Sequence, residues 1–195
     1  MRLHLAAVGL LVLVGWTACL SPAASVAPVA DTPWVTLQGE HRSLRAMMGQ
    51  KATVFITMDP DCPITQLYTQ AFQGIADDFA AKGVAVVGFY PGPFLQRSAA
   101  EGFSRAAGLG FPQVMDSACV LSLALQARVT PECFIVGPEG EVVYRGALDD
   151  RPVRQGRKKL LATKQYLAEA LDSYLADGKE QPEVAAVGCI VECGE

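Results

Sequence analysis

Residues 52–58 and residues 84–89 form two predominantly apolar runs that contain no charged residue. Runs of this kind and length, rich in β-branched residues, are typical of strands that are buried on both faces of a sheet. Between the two runs, apolar side chains recur at helical spacing, which predicts a helix that begins at Pro63 and ends before Gly83. The order strand, helix, strand indicates two parallel strands joined by a right-handed crossover.

The second half of the chain alternates short strands and helices and closes with an amphipathic helix. The residues Gly-Pro-Glu-Gly at 137–140 separate two β-rich runs, which predicts a hairpin. Thr163 is the expected N-cap of the last helix, and Asp116 is the expected N-cap of an earlier one. This order predicts an α/β protein with a mixed central sheet flanked by helices, and it resembles the thioredoxin fold. The other predicted elements are a strand at 35–39, a short helix or turn at 40–48, helices at 99–107, 116–127 and 163–178, and strands at 113–115, 133–136 and 142–145.

The first residues carry the pattern of a targeting signal. Arg2 precedes an apolar run over residues 5–14, and small residues follow it at 23–25. The apolar run is too short for a transmembrane helix, so the pattern indicates a signal peptide and export to the bacterial periplasm or cell envelope. The predicted organisation is a signal peptide over residues 1–27, a thioredoxin-like domain over residues 28–178, and a C-terminal cysteine-containing tail over residues 179–195.

Cys19 adds an alternative to simple export. Thr17-Ala18-Cys19 has the small-small-Cys ending of a bacterial lipoprotein signal, although Trp16 stands where an aliphatic residue is usual. Cleavage near Ala23 would release the protein, whereas acylation at Cys19 would anchor it. The lipid at Cys19 is therefore the only route by which this interpretation brings the protein to a membrane.

The composition and charge of the chain restrict the classes of macromolecule that it is expected to bind. Hydrophobic residues make up 51% of the chain and charged residues 18%, which is typical of a globular protein. The formal net charge is −4, and no basic patch suited to a phosphate backbone is present in the sequence. Nucleic acid is therefore excluded as an expected partner.

Five cysteines follow the predicted signal peptide. An exported protein is in a compartment where disulfides persist. Because the number is odd, at least one thiol is unpaired, catalytic or joined to another molecule. The five are Cys62, Cys119, Cys133, Cys189 and Cys193.

Cys62 lies in the turn between the first buried strand and its helix. The free N–H groups and the dipole of a helix N-terminus favour a thiolate and lower its pKa. The thiolate is the attacking species in disulfide exchange, which makes Cys62 the candidate nucleophile. Asp59 and Asp61 act in the opposite direction, because their negative charges disfavour a thiolate.

A second candidate element is the sequence Val129-Thr130-Pro131, immediately before the predicted hairpin. An X–Pro bond just ahead of a short strand is a common place for a cis peptide. In the thioredoxin fold such a proline packs against the active cysteine and presents a backbone edge to the substrate.

Four segments together resemble the redoxin branch of the thioredoxin superfamily, the group of alkyl hydroperoxide reductase and thiol-specific antioxidant proteins. They are Cys62-Pro63, residues 129–132, the run VYRGALDDR at 143–151, and Gly188-Cys189-Ile190. The similarity spans about residues 33 to 191. It implies a thioredoxin-like fold and redox chemistry at Cys62, with no organic cofactor and no metal. The residues placed beside the substrate are Pro63, Thr65, Thr130 and Pro131.

Two departures from the family patterns restrict the chemistry. A dithiol thioredoxin site needs Cys-x-x-Cys, but Thr65 stands at the fourth position. A typical peroxiredoxin carries Pro-x-x-x-Thr/Ser-x-x-Cys, and here those positions are Phe55 and Asp59. The expected function is therefore thiol–disulfide exchange, with a peroxidase of low efficiency as the alternative. The expected partners are protein or small-molecule thiols and disulfides, with peroxides as the alternative oxidant and an electron donor that the sequence does not identify.

Cys62 needs a second thiol to complete a catalytic cycle. Cys189 is the preferred resolving cysteine, because it lies in the family-like tail segment, and Cys193 is the second candidate. A disulfide between Cys189 and Cys193 is the structural alternative. Cys119 and Cys133 are expected to pack as small hydrophobic residues or to bridge each other.

Two non-enzymatic functions remain as alternatives. Copper chaperones with a thioredoxin fold use Cys-x-x-x-Cys and a distant histidine, and Cys189 and Cys193 have that spacing, with His41 as the available imidazole. A partner-binding module that keeps the fold and rarely uses Cys62 is the other alternative.

Overall fold

In this computed structural model, the described residues are 24–154 and 156–193. Cys19 and most of the predicted signal peptide lie outside these residues. Within the described ranges, no helix combines the length and the apolar character needed to cross a membrane.

The secondary structure of the described residues comprises eleven strands, four α-helices and two short 3-10 helices. The strands are β1 (Pro33–Val35), β2 (His41–Ser43), β3 (Ala52–Thr57), β4 (Val84–Pro91), β5 (Gln113–Asp116), β6 (Val129–Thr130), β7 (Cys133–Val136), β8 (Val142–Gly146), β9 (Pro152–Arg154), β10 (Arg157–Lys158) and β11 (Cys189–Ile190). The helices are α1 (Pro63–Ala80), α2 (Arg97–Ala107), α3 (Val120–Leu125) and α4 (Tyr166–Asp177), and the 3-10 turns are Ala27–Val29 and Arg45–Met47.

Five strands form the central sheet in the order β5-β4-β3-β7-β8. Strand β3 runs parallel to β4 and antiparallel to β7, and β4 runs parallel to β5. The hairpin of β7 and β8 supplies the antiparallel edge. The predicted mixed sheet and thioredoxin-like α/β fold are confirmed.

Both faces of this sheet are covered, because alternate side chains of each central strand enter two separate cores. On one face, Val54 and Ile56 of β3 pack with residues of α1, α2 and α4. On the other face, Phe55 packs with α3 and with the segment before β1. All six residues of β3 are buried, which explains the predominantly apolar run in the sequence.

The largest differences from the predicted boundaries concern the first strand and the starts of α3 and α4. The first strand lies at Pro33–Val35 rather than 35–39 and pairs with β2, a strand where a helix or turn was expected. The N-cap position of α3 is Cys119, not Asp116, and Asp116 instead accepts N–H bonds from Leu121 and Ser122 through its side chain. Likewise Thr163 bonds the carboxylate of Asp150, and α4 begins only at Tyr166.

The C-terminal tail is packed against the domain. The Gln181 amide donates to the Val143 carbonyl at 2.7 Å, and the Ala147 amide donates to the Val184 carbonyl at 2.8 Å. Farther along, strand β11 pairs antiparallel with β6. The tail thus continues along the β8 edge to the loop before β7.

A disulfide joins Cys119 to Cys193 across 74 residues of sequence. Of the alternatives that the sequence leaves open, a Cys189–Cys193 pair and a Cys119–Cys133 bridge are both excluded, and Cys119 is disulfide-bonded rather than packed as a free thiol. The sequence left these pairings open because spacing along the chain gives no distance in space.

The difference in burial between two phenylalanines predicts that their replacement by alanine lowers the free energy of unfolding by very different amounts. Phe72 of α1 is fully buried, whereas Phe94 is 77% exposed. We expect Phe72→Ala to lower the free energy of unfolding by about 3–5 kcal/mol, because it removes buried apolar area and leaves a cavity. Phe94→Ala is the matched control and is expected to change the free energy by less than about 0.5 kcal/mol. Urea titrations followed by circular dichroism measure both, and equal losses would contradict the described core.

Candidate active site

The turn that carries Cys62 is fixed by local hydrogen bonds. Strand β3 ends at Thr57, and the Met58 amide then donates to the Phe89 carbonyl of β4 at 2.8 Å. The side chain of Asp59 accepts the Asp61 amide at 2.9 Å, and its carbonyl accepts the Cys62 amide at 3.2 Å. Asp59 therefore closes the turn by accepting backbone N–H groups, as aspartates at such positions commonly do.

Cys62 occupies the N-cap position of α1, and Pro63 follows at the first helical position. The Cys62 side chain is fully buried, and its Sγ lies 3.0 Å from the Thr130 carbonyl oxygen. Burial acts to raise the pKa of this thiol, but hydrogen bonds from the Cys189 thiol and from the amides of Thr65 and Ile64 outweigh it. The resulting pKa of Cys62 lies below that of an ordinary thiol.

The loop before β7 is held against this turn by Thr57. Its buried hydroxyl donates to the Val129 carbonyl at 2.7 Å and accepts the Glu132 amide at 2.6 Å. Between these contacts lies the Thr130–Pro131 peptide bond, which is cis. Sequence reasoning missed Thr57; the signal that points to it is a hydroxyl residue near the end of an otherwise apolar buried strand.

Cys189 reaches Cys62 through strand pairing. In the β6–β11 pair, Cys189 lies opposite Thr130 and Ile190 lies opposite Val129. This register places the Cys189 Sγ 2.9 Å from the Cys62 Sγ, although the two residues are 127 positions apart. Burial, then the hydrogen bond to Cys62 and the charge of Cys62, raise the pKa of Cys189 to about 12.

Two further contacts hold the tail in this position. The Cys119–Cys193 disulfide fixes the chain four residues beyond Cys189. Before Cys189, Arg128 forms ion pairs of 2.7 Å with both the buried Glu132 and the tail residue Glu183. The tail is thus attached on both sides of the reactive pair.

An open groove of about 620 Å³ lies beside Cys189. Of the residues that the sequence places beside a substrate, Thr130 lines this groove, whereas Pro131 lines a different cavity together with Cys133. Pro63 is exposed at the start of α1, and Thr65 is fully buried with a hydroxyl that has no hydrogen-bond partner among the described residues. The structure therefore brings Cys62, Cys189 and Thr130 together, and the Thr65 amide also reaches Cys62. The side chains of Pro63, Thr65 and Pro131 do not line the groove.

The remaining cysteines have other surroundings. Cys133 is buried in β7, and desolvation raises the pKa of its thiol far above the ordinary value. Cys193 is oxidised, so it does not offer a thiolate beside Cys189 for copper while the disulfide stands. No group of three or more histidine, cysteine, aspartate or glutamate residues within 24–154 and 156–193 is arranged to hold a metal ion.

Similarity to known proteins identifies the family of this chain. A model of the AhpC/TSA family matches residues 24–145, which is more than half of the chain. The chain belongs to the AhpC/TSA family. Members of this redoxin family are typically thiol oxidoreductases or peroxidases. No curated protein matches the chain.

Several solved structures share this fold. A hypothetical protein from Sinorhizobium meliloti 1021 superposes with a TM-score of 0.74 at 25% identity, covering 91% of this chain and 97% of that one. A secreted disulfide oxidoreductase of Mycobacterium tuberculosis gives 0.56 at 17% identity, covering 75% and 98%. The bacterioferritin comigratory protein of Xanthomonas campestris gives 0.55 at 20% identity, covering 79% and 94%. The last two likenesses establish the thioredoxin-like fold alone.

The pKa of Cys62 is directly testable. We expect reduced protein to gain thiolate absorbance at 240 nm at a pH below about 8.5, the value of an unperturbed cysteine. The difference between the wild type and Cys62→Ser isolates this thiol, and Cys133→Ala is expected to keep the same low-pH step. A low-pH step that survives in Cys62→Ser would contradict the assignment.

Gly188 allows the tail to approach the loop before β7. A Cβ atom at this position would lie 2.3 Å from the Thr130 carbonyl oxygen, so Gly188→Ala must displace one backbone segment. We expect about a tenfold slower formation of the Cys62–Cys189 disulfide after a brief oxidative challenge, because the two sulfurs lose their enforced proximity. Quenched alkylation and mass spectrometry measure this rate. Gly74→Ala is the control, since its Cβ meets no atom within 4 Å, and an equal rate in both variants would contradict the prediction.

Proposed function

We propose that this protein is a thiol–disulfide oxidoreductase whose redox centre is the pair Cys62 and Cys189. The observation that carries the proposal is the 2.9 Å separation of their Sγ atoms, across 127 residues of sequence. The centre alternates between two thiols and one disulfide, and it exchanges two electrons and two protons with each partner.

The chemistry follows from the different surroundings of the two thiols. The Cys62 thiolate attacks one sulfur of a substrate disulfide, and the other substrate sulfur leaves as a thiolate. Cys189, after losing its proton, then attacks the Cys62 sulfur of the mixed disulfide. The Cys62–Cys189 bond forms, and the bound substrate sulfur leaves as the second thiolate. The hydrogen bonds that lower the pKa of Cys62 favour the attacking species in the first step.

The pair replaces the Cys-x-x-Cys arrangement that this sequence lacks. In such a motif the second thiol comes from the first turn of the helix, where this chain has the buried Thr65. Here the resolving thiol comes from strand β11, whose pairing with β6 places it beside the same cysteine. A dithiol centre is therefore compatible with the single cysteine in the turn.

Peroxides are the less favoured oxidant. At the position of the peroxiredoxin hydroxyl, this chain has Asp59, whose carboxylate accepts the Asp61 amide. A carboxylate does not supply the hydroxyl that orients a peroxide, and its negative charge disfavours the nearby thiolate.

We also propose that the protein works outside the cytoplasm. The signal-peptide pattern over residues 1–27 supports this, with acylation at Cys19 as the anchored alternative. The Cys119–Cys193 disulfide supports it independently, since structural disulfides persist in oxidising compartments.

Variants in which one cysteine is replaced by serine test the redox pair. In an insulin-reduction assay with dithiothreitol, we expect Cys62→Ser to lose at least 100-fold in rate, because the nucleophile is absent. When insulin is mixed with the reduced protein and no free dithiothreitol, Cys189→Ser is expected to accumulate a mixed disulfide on Cys62, since the second step has no thiol. Mass spectrometry of acid-quenched samples detects that species.

The control is Cys133→Ala, which removes a buried thiol that lies outside the pair and is expected to retain turnover. A parallel assay with hydrogen peroxide separates the two oxidants. Full activity of Cys62→Ser would overturn the proposal, and turnover with peroxide but not with disulfides would replace it with the peroxidase alternative.

A further inference from the structure

The two sulfurs of the redox pair differ in access. Cys62 is fully buried and does not line the groove, whereas Cys189 is partly exposed and forms part of its wall. A thiol that enters the groove therefore meets the sulfur of Cys189 first. This asymmetry matters when the oxidised centre has to be reduced by another molecule.

The groove also has a distinct chemistry. Phe94 and Ile190 line it and are 77% and 81% exposed, which is unusual for large apolar side chains. Three carboxylates, those of Asp59, Asp61 and Glu192, are among its lining residues, and the described lining contains no lysine, arginine or histidine. The surface around Cys189 is thus both apolar and negatively charged.

We propose that this groove docks the cysteine-bearing segment of a reducing protein partner, one that carries apolar and positively charged residues beside its cysteine, and that the partner thiolate attacks Cys189 rather than Cys62. The inference rests on the proposed Cys62–Cys189 redox pair and adds the entry point and the partner chemistry. An anionic small thiol does not match a surface that bears three carboxylates.

The exchange is balanced in two steps. The partner thiolate bonds to the Cys189 sulfur, the Cys62–Cys189 bond breaks, and Cys62 leaves as a thiolate. A second thiolate of the partner then attacks the partner's own sulfur in the mixed disulfide, and Cys189 leaves as a thiolate. Both protein thiolates take up protons according to their pKa values, and the partner is oxidised from a dithiol to a disulfide.

The surroundings of Cys62 favour this direction of cleavage. A disulfide breaks faster when its leaving sulfur has the lower pKa. The amides of Ile64 and Thr65 at the start of α1 stabilise the Cys62 thiolate, whereas burial and Asp59 raise the pKa of Cys189. Departure of Cys62 is therefore favoured over departure of Cys189.

Single-cysteine peptides of equal length test the attack site. The oxidised protein is mixed with a peptide whose cysteine is flanked by Phe and Lys, quenched in acid early in the reaction, and its free thiols are alkylated. We expect the peptide on Cys189 and the alkyl group on Cys62, as read by mass spectrometry. A peptide found mainly on Cys62 would overturn the inference.

Two further peptides and one small thiol test whether docking in the groove depends on apolar and positively charged residues beside the attacking cysteine. We expect the Phe/Lys peptide to react about tenfold faster than a Phe/Glu peptide, with a difference that shrinks at high salt. A Ser/Lys peptide and 2-mercaptoethanol are both expected to be slower, because they lack the apolar contact. Equal rates for the Phe/Lys and Phe/Glu peptides, or for the Phe/Lys peptide and 2-mercaptoethanol, would overturn docking in the groove.

Variants that remove charges test whether the carboxylates of the groove cause the faster reaction of the Phe/Lys peptide. The double variant Asp59→Asn with Glu192→Gln is expected to lower the ratio of the Phe/Lys rate to the Phe/Glu rate. Glu180→Gln removes an equal kind of exposed charge outside the groove and is expected to keep that ratio. An unchanged ratio in the double variant contradicts the inference. Failure of the Cys62–Cys189 disulfide to form at all would instead overturn the proposed function.

Discussion

The pairing of strand β11 with β6 determines whether this protein has one reactive cysteine or a redox pair. Each strand contributes only two residues to this pairing, and a pairing this short is not stable by itself in water. The chain compensates with constraints on both sides of Cys189. The Cys119–Cys193 disulfide limits the freedom of the chain beyond it, and the Arg128–Glu183 ion pair holds the chain before it. The glycine at position 188 then allows the close approach to the Thr130 carbonyl.

The same pairing occupies the backbone edge beside the reactive turn. In the thioredoxin fold this edge, next to the cis-proline, presents backbone groups to the substrate. Here the tail forms an antiparallel pair with that edge, so an extended substrate is unable to form the same pair while the tail is in place. A disulfide substrate must either displace strand β11 or reach Cys62 without using that edge. Access to the buried sulfur is thereby coupled to the position of the resolving thiol.

Local signals made part of this site predictable from the sequence. The buried strand β3, the turn at Cys62, the helix that begins at Pro63 and the cis-proline at position 131 each depend on residues close together in the chain. Periodicity, turn chemistry and the restrictions on proline report such local structure. The mixed sheet followed from the order of these elements, and the family resemblance followed from the motifs that they carry.

Contacts between distant segments were not predictable in the same way. The Cys119–Cys193 bond and the Cys62–Cys189 contact join residues 74 and 127 positions apart, and no periodic pattern marks either pair. Thr57 looked like an ordinary member of a buried strand, because its role depends on a loop 72 residues later. Asp116 had the correct residue type for a cap, but its carboxylate reaches helix α3 from the end of strand β5. In each case the interaction exists only after the fold has brought the segments together.

The contrast between the two thiols gives the reaction an order in time. The pKa of Cys189 is raised first by burial and then by the hydrogen bond and negative charge of Cys62. Once Cys62 is bonded to a substrate sulfur, that charge is gone, and its contribution to the raised pKa of Cys189 disappears. Cys189 therefore loses its proton more readily at the stage when it has to attack. The resolving thiol stays protonated in the reduced protein, where it stabilises the Cys62 thiolate as a hydrogen-bond donor, and it becomes a nucleophile after Cys62 has reacted.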